Sequence, residues 1–182
     1  MKLFERRGGV PAEVLARAGL AHGERPLAHA TAADGSWILG TRRQLVIVGP
    51  AGEESPTESR ALAWEQVEEA VWDQESSRLR VTEIGSYGEQ RPAYSFELED
   101  PTLLLQLVRE RVTASIVLQR WVPVRGGRGL TVIGRRSPVG GPLTWMHAYD
   151  QGLDPGDPEV AASAERALTA ARAEVGEEAH PI

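Results

Sequence analysis

Five arginines, Arg120, Arg125, Arg128, Arg135 and Arg136, fall in one stretch of the chain. Guanidinium forks grip phosphate or carboxylate through paired hydrogen bonds, so this stretch is the candidate anion site. Trp121 and Trp145 lie beside them in sequence and could offer faces for stacking bases, an arrangement that single-stranded nucleic acid would use. The competing account is structural: the tryptophans seal a junction within the fold, and the arginines pair with acids from residues 49–110. The formal net charge of −6 favours the second account, because an acidic protein repels a polyanion at long range. Arg125-Gly126-Gly127-Arg128-Gly129 occurs once, so it reads as a turn rather than as an RNA-binding repeat.

Other chemistry is sparse. His22, His29, His147 and His180 show no ligand spacing of the HxH or HExxH kind. His147 with Asp150 and Asp154 is a local group, but it reads as a turn with acids leading into a helix cap at Asp157. Gly8-Gly9, Gly126-Gly127 and Gly140-Gly141 match neither a phosphate-binding loop nor a dinucleotide fingerprint. The absence of cysteine excludes a disulfide, a thiolate nucleophile and a cysteine-bound metal. No catalytic residue, metal or cofactor is nominated, and an enzyme would need dispersed residues, such as His147 with acids or a serine in a deep polar pocket.

The 182 residues suffice for one ordinary domain, or a small domain with an appendage. Apolar and charged fractions of 41% and 25% are those of a soluble globular chain, and no apolar run is long enough to cross a bilayer. Met1 to Arg7 is charged and has no apolar stretch or cleavage site after it, so the expected location is cytoplasmic. Charge is segregated along the chain: residues 1–48 carry +3, 49–110 carry −9, 111–149 carry +6 with no acid, and 150–182 carry −6. An acid-free stretch between acidic ones is either an anion-binding surface or a segment that pairs with its own neighbours.

The elements that must position these residues follow from local pattern. Val10 to Leu20 has a short helical pattern. Leu27 to Thr31, Trp37 to Thr41, Gln44 to Val48, Ala61 to Trp64, Val67 to Trp72, Arg78 to Glu83 and Ala93 to Leu98 read as strands. Ala33-Asp34-Gly35, the loop from Gly49 to Arg60 and Gly85 to Glu89 separate some of them. Asp100 to Arg120 reads as an amphipathic helix, with Asp100 as N-cap and Pro101 at its first position. Its stripe is Leu104, Leu107, Val108, Val112 and Ile116, and Pro123 sets its end within a residue or two of Trp121. Leu130 to Gly134 and Leu143 to Tyr149 then read as a hairpin, followed by a helix capped by Asp157 with Pro158 first.

About seven short strands closed by one helix is the order of a pleckstrin-homology-like barrel. Leu39-Gly40-Thr41-Arg42-Arg43-Gln44-Leu45-Val46-Ile47-Val48 resembles the tight turn between early strands in bacterial members, and Leu62-Ala63-Trp64-Glu65-Gln66-Val67 resembles the strand that follows. The resemblance covers roughly His22 to Arg120. The Arg-for-Lys bias, with Lys2 the single lysine, and the whole chain resemble an actinobacterial family with no assigned activity. Lipid-binding barrels of this kind use cations around the loop between their first two strands. Here Ala32-Ala33-Asp34-Gly35-Ser36 has one acid and no cation, which argues against phosphoinositide binding there and for a protein or peptide partner.

The expected fold is therefore α+β: residues 1–21 form an N-terminal segment with a short helix, and 22–120 a bent antiparallel barrel or sandwich closed by one helix. Residues 121–176 form a ββα extension docked on it, and 177–182 a frayed tail. The expected function is that of an interaction module without catalysis that binds a protein or peptide, with anion or nucleic-acid binding by residues 111–149 as the alternative.

Overall fold

Period-two alternation along the first hundred residues builds a sheet with two differently covered faces. A computed structural model of the chain describes residues 9–51, 59–85 and 90–176. The expectations for Met1 to Arg7, for residues 52–58 and 86–89 and for the tail 177–182 lie outside the described residues. Strands β1 (Ala28–Ala32), β2 (Trp37–Gly40), β3 (Gln44–Val48), β4 (Arg60–Ala63), β5 (Val67–Asp73), β6 (Arg78–Glu83) and β7 (Ala93–Glu99) form one antiparallel sheet. Their order is β4-β3-β2-β1-β7-β6-β5. Among the described residues β4 and β5 remain its two edges, so the sheet does not close into the expected barrel. β1 and β7 are joined through Thr31↔Glu99 and Ala32↔Leu98, a narrow link between the two halves.

Both halves contribute to one core. Ala30, Ile38 and Leu45 from one half meet Leu79, Val81 and Phe96 from the other, with Leu104, Leu107 and Val108 of helix α2 (Thr102–Ser115) in the same cluster. The opposite face of β2 and β3 packs under α1 (Ala12–Arg17), where Val14 and Ala18 meet Leu39, Val46 and Val48. A single 3-10 turn, Trp64–Gln66, joins β4 to β5, and Trp64 is fully buried. Its indole N–H donates to the Thr41 carbonyl at 3.1 Å, which satisfies the one polar group that its burial would otherwise orphan.

Helix α2 is shorter than its sequence pattern suggests at both ends. It starts at Thr102, with Pro101 rather than Asp100 at the N-cap position. Asp100 has φ of 42°, a left-handed conformation that aspartate tolerates better than most residues, where the chain turns out of β7. At the far end α2 stops at Ser115, and β8 (Ile116–Arg125) begins at the next residue. Ile116 fits the helical stripe, yet it also fits the period-two spacing of Leu118, Val122 and Val124, the three that pack toward α3. Pairing of β8 with β9 (Arg128–Arg135) decides between the two periods. Pro123 therefore sits within β8, an edge strand where a missing N–H is tolerated.

The extension is consequently βββα rather than ββα. Strands β8, β9 and β10 (Thr144–Tyr149) form a separate antiparallel sheet in the order β10-β9-β8. Helix α3 (Pro158–Glu174) covers one face of it, burying Ala164, Ala167 and Ala171 against Leu130 and Val132. Asp157 caps α3 as expected, its side chain accepting from the Glu159 N–H at 2.9 Å. No helix among the described residues is long and apolar enough to cross a membrane.

Candidate functional site

The five arginines do not form one cluster. Arg125 and Arg128 face each other beside the Gly126-Gly127 turn that closes the β8–β9 hairpin, whereas Arg135 ends β9 about 24 Å away at strand rise. Arg120 pairs with Glu174 of α3, and Arg125 pairs with Asp157 at 2.8 Å and Glu159 at 3.5 Å. The Arg125 hydrogen bond to Asp157 raises its own proton affinity. The Glu159 N–H, seconded by Arg125, holds the Asp157 carboxyl below its ordinary range. The Arg128 guanidinium lies over Gly152, with Nη1 2.8 Å from where a Cβ would stand. The acids that meet Arg120 and Arg125 thus come from the C-terminal segment rather than from residues 49–110.

Arg135 is 4% exposed and turns inward. Its Nη1 donates to the Val67 carbonyl at 2.7 Å and to Ser115 Oγ at 3.1 Å, and its Nη2 donates to the Glu68 carbonyl at 3.2 Å. Burial lowers its proton affinity, and Glu68 partly offsets that effect. Arg136 is half-buried, and its main-chain N–H donates to the Ser115 carbonyl at 2.8 Å. Both residues therefore tie β9 to the end of α2, and Arg135 also ties it to the start of β5.

The tryptophans lie on opposite faces of the smaller sheet. Trp145 packs toward α3, its ring 2.8 Å from where a Cβ on Gly134 would sit, which only glycine permits. Trp121, 49% exposed, is on the other face and donates to Asp150 Oδ2 at 3.3 Å. His147 is half-buried, facing α3, and burial lowers its proton affinity. Asp150 accepts from the Gly129 N–H at 2.7 Å, tying the end of β10 to the start of β9, and Asp154 accepts from the Gly156 N–H at 2.8 Å within a turn. No group of three potential metal ligands occurs among the described residues.

A groove that the local sequence does not announce lies between β5 and α2. It has a volume of about 490 Å3 and is walled by Ala70, Trp72, Leu105, Val108 and Val112, with Glu69 and Arg109 at its rim. β5 is a sheet edge, so backbone N–H and C=O groups along its outer side face this groove's mouth without a strand partner among the described residues. Arg135 covers the first two residues of that edge, leaving Glu69–Asp73. Leu105 and Val112 lie beside the buried helical stripe, so one flank of α2 seals the core and the next stays partly open. The signal for this groove is that β5 alternates Ala70 and Trp72 with Glu69, Val71 and Asp73 while lacking a second neighbour. That last fact depends on the order of all seven strands.

No family model, curated protein or solved structure matches the chain.

Proposed function

We propose that this protein is an interaction module of the pleckstrin-homology-like kind that accepts an extended segment of a partner protein as an added strand on β5. The observation that carries this reading is the apolar groove beside an open strand edge. Main-chain hydrogen bonds along Glu69–Asp73 supply a direction and a register, and the wall of Ala70, Trp72, Leu105, Val108 and Val112 takes alternate side chains. Seven antiparallel strands followed by a helix on their common core support the family likeness. So does the hydrogen bond of Trp64 to Thr41, which brings together the two segments that carry the resemblance. In the loop between β1 and β2, Asp34 accepts from the Ser36 N–H at 2.9 Å and no cation is present, so a peptide fits this module better than an inositol phosphate.

Selection of a random nonapeptide library on the folded protein tests the reading. Enriched peptides that lose binding to Val112→Lys, a change at the groove wall, support it when the variant keeps the wild-type melting temperature. No enrichment, or enriched peptides indifferent to that substitution, overturns it.

A further inference from the structure

The two sides of β5 differ in chemistry, and an added strand must present one set of side chains to each. On the groove side stand Ala70 and Trp72, packed against the core. On the other side stand Glu69, Val71 and Asp73, bordering a shallow hollow over β5, β6 and β7. Val71 is 46% exposed, an apolar side chain held in water between two acids. Across the sheet, Asp73 is level with Arg78 and Glu97, Val71 with Arg80 and Ser95, and Glu69 with Thr82 and Ala93. Arg78, one strand behind Asp73, lies 3.6 Å from Glu97 and has Asp73 on its other flank, so its charge is offset on both sides. Arg80 stands one strand behind Val71 and would lie about 10 Å from an added residue, near the screening length at physiological salt.

We propose that the segment β5 accepts alternates basic and bulky apolar residues: cations beside Glu69 and Asp73, a small apolar residue beside Val71, and aliphatic side chains beside Ala70 and Trp72. This rests on β5 being a docking edge and adds the class of peptide it selects. Directly opposed unlike charges stabilise a strand pair and like charges weaken it, so Glu69 is the main selector and Asp73, which also accepts from the Glu75 N–H at 2.9 Å and flanks Arg78, the lesser one. The same two acids work against a second copy of this chain on the edge. Antiparallel self-pairing about Val71 would place Glu69 beside the copy's Asp73, the kind of edge charge that keeps sheets from joining.

The pattern is symmetric about its centre, so one probe serves either strand direction. Fluorescence anisotropy would compare labelled peptides with the core Lys-Leu-Val-Leu-Lys, Ser-Leu-Val-Leu-Ser or Glu-Leu-Val-Leu-Glu, and a scrambled Lys-Lys-Leu-Leu-Val of equal charge, all flanked by Gly-Ser. The expected result is that the lysine peptide binds about tenfold more tightly than the glutamate peptide at low salt. The difference should shrink at high salt, the scrambled peptide should bind more weakly than the alternating one, and Glu69→Lys should narrow or reverse the preference. Equal binding of the three alternating peptides would overturn the charge selection while leaving the edge reading in place. Binding of the scrambled peptide as tight as that of the alternating one would overturn it as well. No binding by any peptide would overturn the edge reading itself. Because the Glu69 side chain is exposed, an unchanged melting temperature for Glu69→Lys keeps the comparison interpretable.

Discussion

The Arg135 guanidinium donates to the Val67 carbonyl at 2.7 Å across a sequence separation of 68 residues. This contact, with that to the Glu68 carbonyl, joins the smaller sheet to the start of β5 and closes that part of the edge. Replacing Arg135 with Met keeps the volume near constant but leaves two carbonyls without their donor. Urea unfolding should show a loss of about 2–4 kcal/mol, since hydrogen bonds from charged donors to buried acceptors are among the more costly to remove. Arg135→Lys should recover part of it, because an ammonium can reach one carbonyl and not both.

Gly129 sits opposite Pro123 in the β8–β9 ladder. A Cβ there would lie 2.2 Å from the Val122 carbonyl oxygen and 2.6 Å from the Trp121 ring. The ring can rotate away, but the carbonyl belongs to the strand backbone and cannot. Gly129→Ala should therefore destabilise the smaller sheet by about 1–3 kcal/mol. Circular dichroism melts set against those of Gly126→Ser would check this. Gly126 has open space around it, although its positive φ imposes a cost of its own.

The buried indole of Trp64, in the turn between β4 and β5, is tied to the Thr41 carbonyl just before β3. Trp64→Phe removes the donor to the Thr41 carbonyl and leaves a void where the larger ring packed. Both effects lower stability, together by about 2–4 kcal/mol in chemical denaturation. The unfolding slope should be unchanged if the loss lies in the folded state alone.

Much of the strand framework was legible because its signals are local. Phe96 and Leu98 are buried while Ser95 and Glu97 are exposed, as their alternation requires. Asp157 and Pro158 mark the start of α3 where the cap rules place it. The end of α2 was not legible, because Ile116 satisfies both a helical and an extended period and its pairing level with Arg135 decides the outcome. Of the candidate site residues, Arg135 illustrates the same limit: its burial depends on carbonyls far away in sequence. The β5 groove was hidden for a related reason, since a strand becomes an edge only through the order of all the others.

His147 makes the packing of α3 sensitive to pH. Its ring faces α3, is 6.1 Å from the Tyr149 ring, and shares its sheet face with Arg120 across Val132, so a second cation there is unwelcome. Burial depresses its proton affinity below the ordinary value of 6.5, and the hydrogen bond with Ala164 offsets this in part. With the folded value lowered, the unfolded chain takes up the proton first as pH falls through 6.5. Folding stability contributed by neutral His147 is then full above that pH and declines below it, until the folded form is protonated as well. Asp157, whose ordinary value of 3.8 is itself lowered, acts in a separate and more acidic window. The urea midpoint should accordingly fall between pH 7 and pH 5, and His147→Gln should flatten that slope while leaving the decline below pH 4 in place. An unaltered slope in the variant would mean that protonation of His147 does not govern how α3 is held.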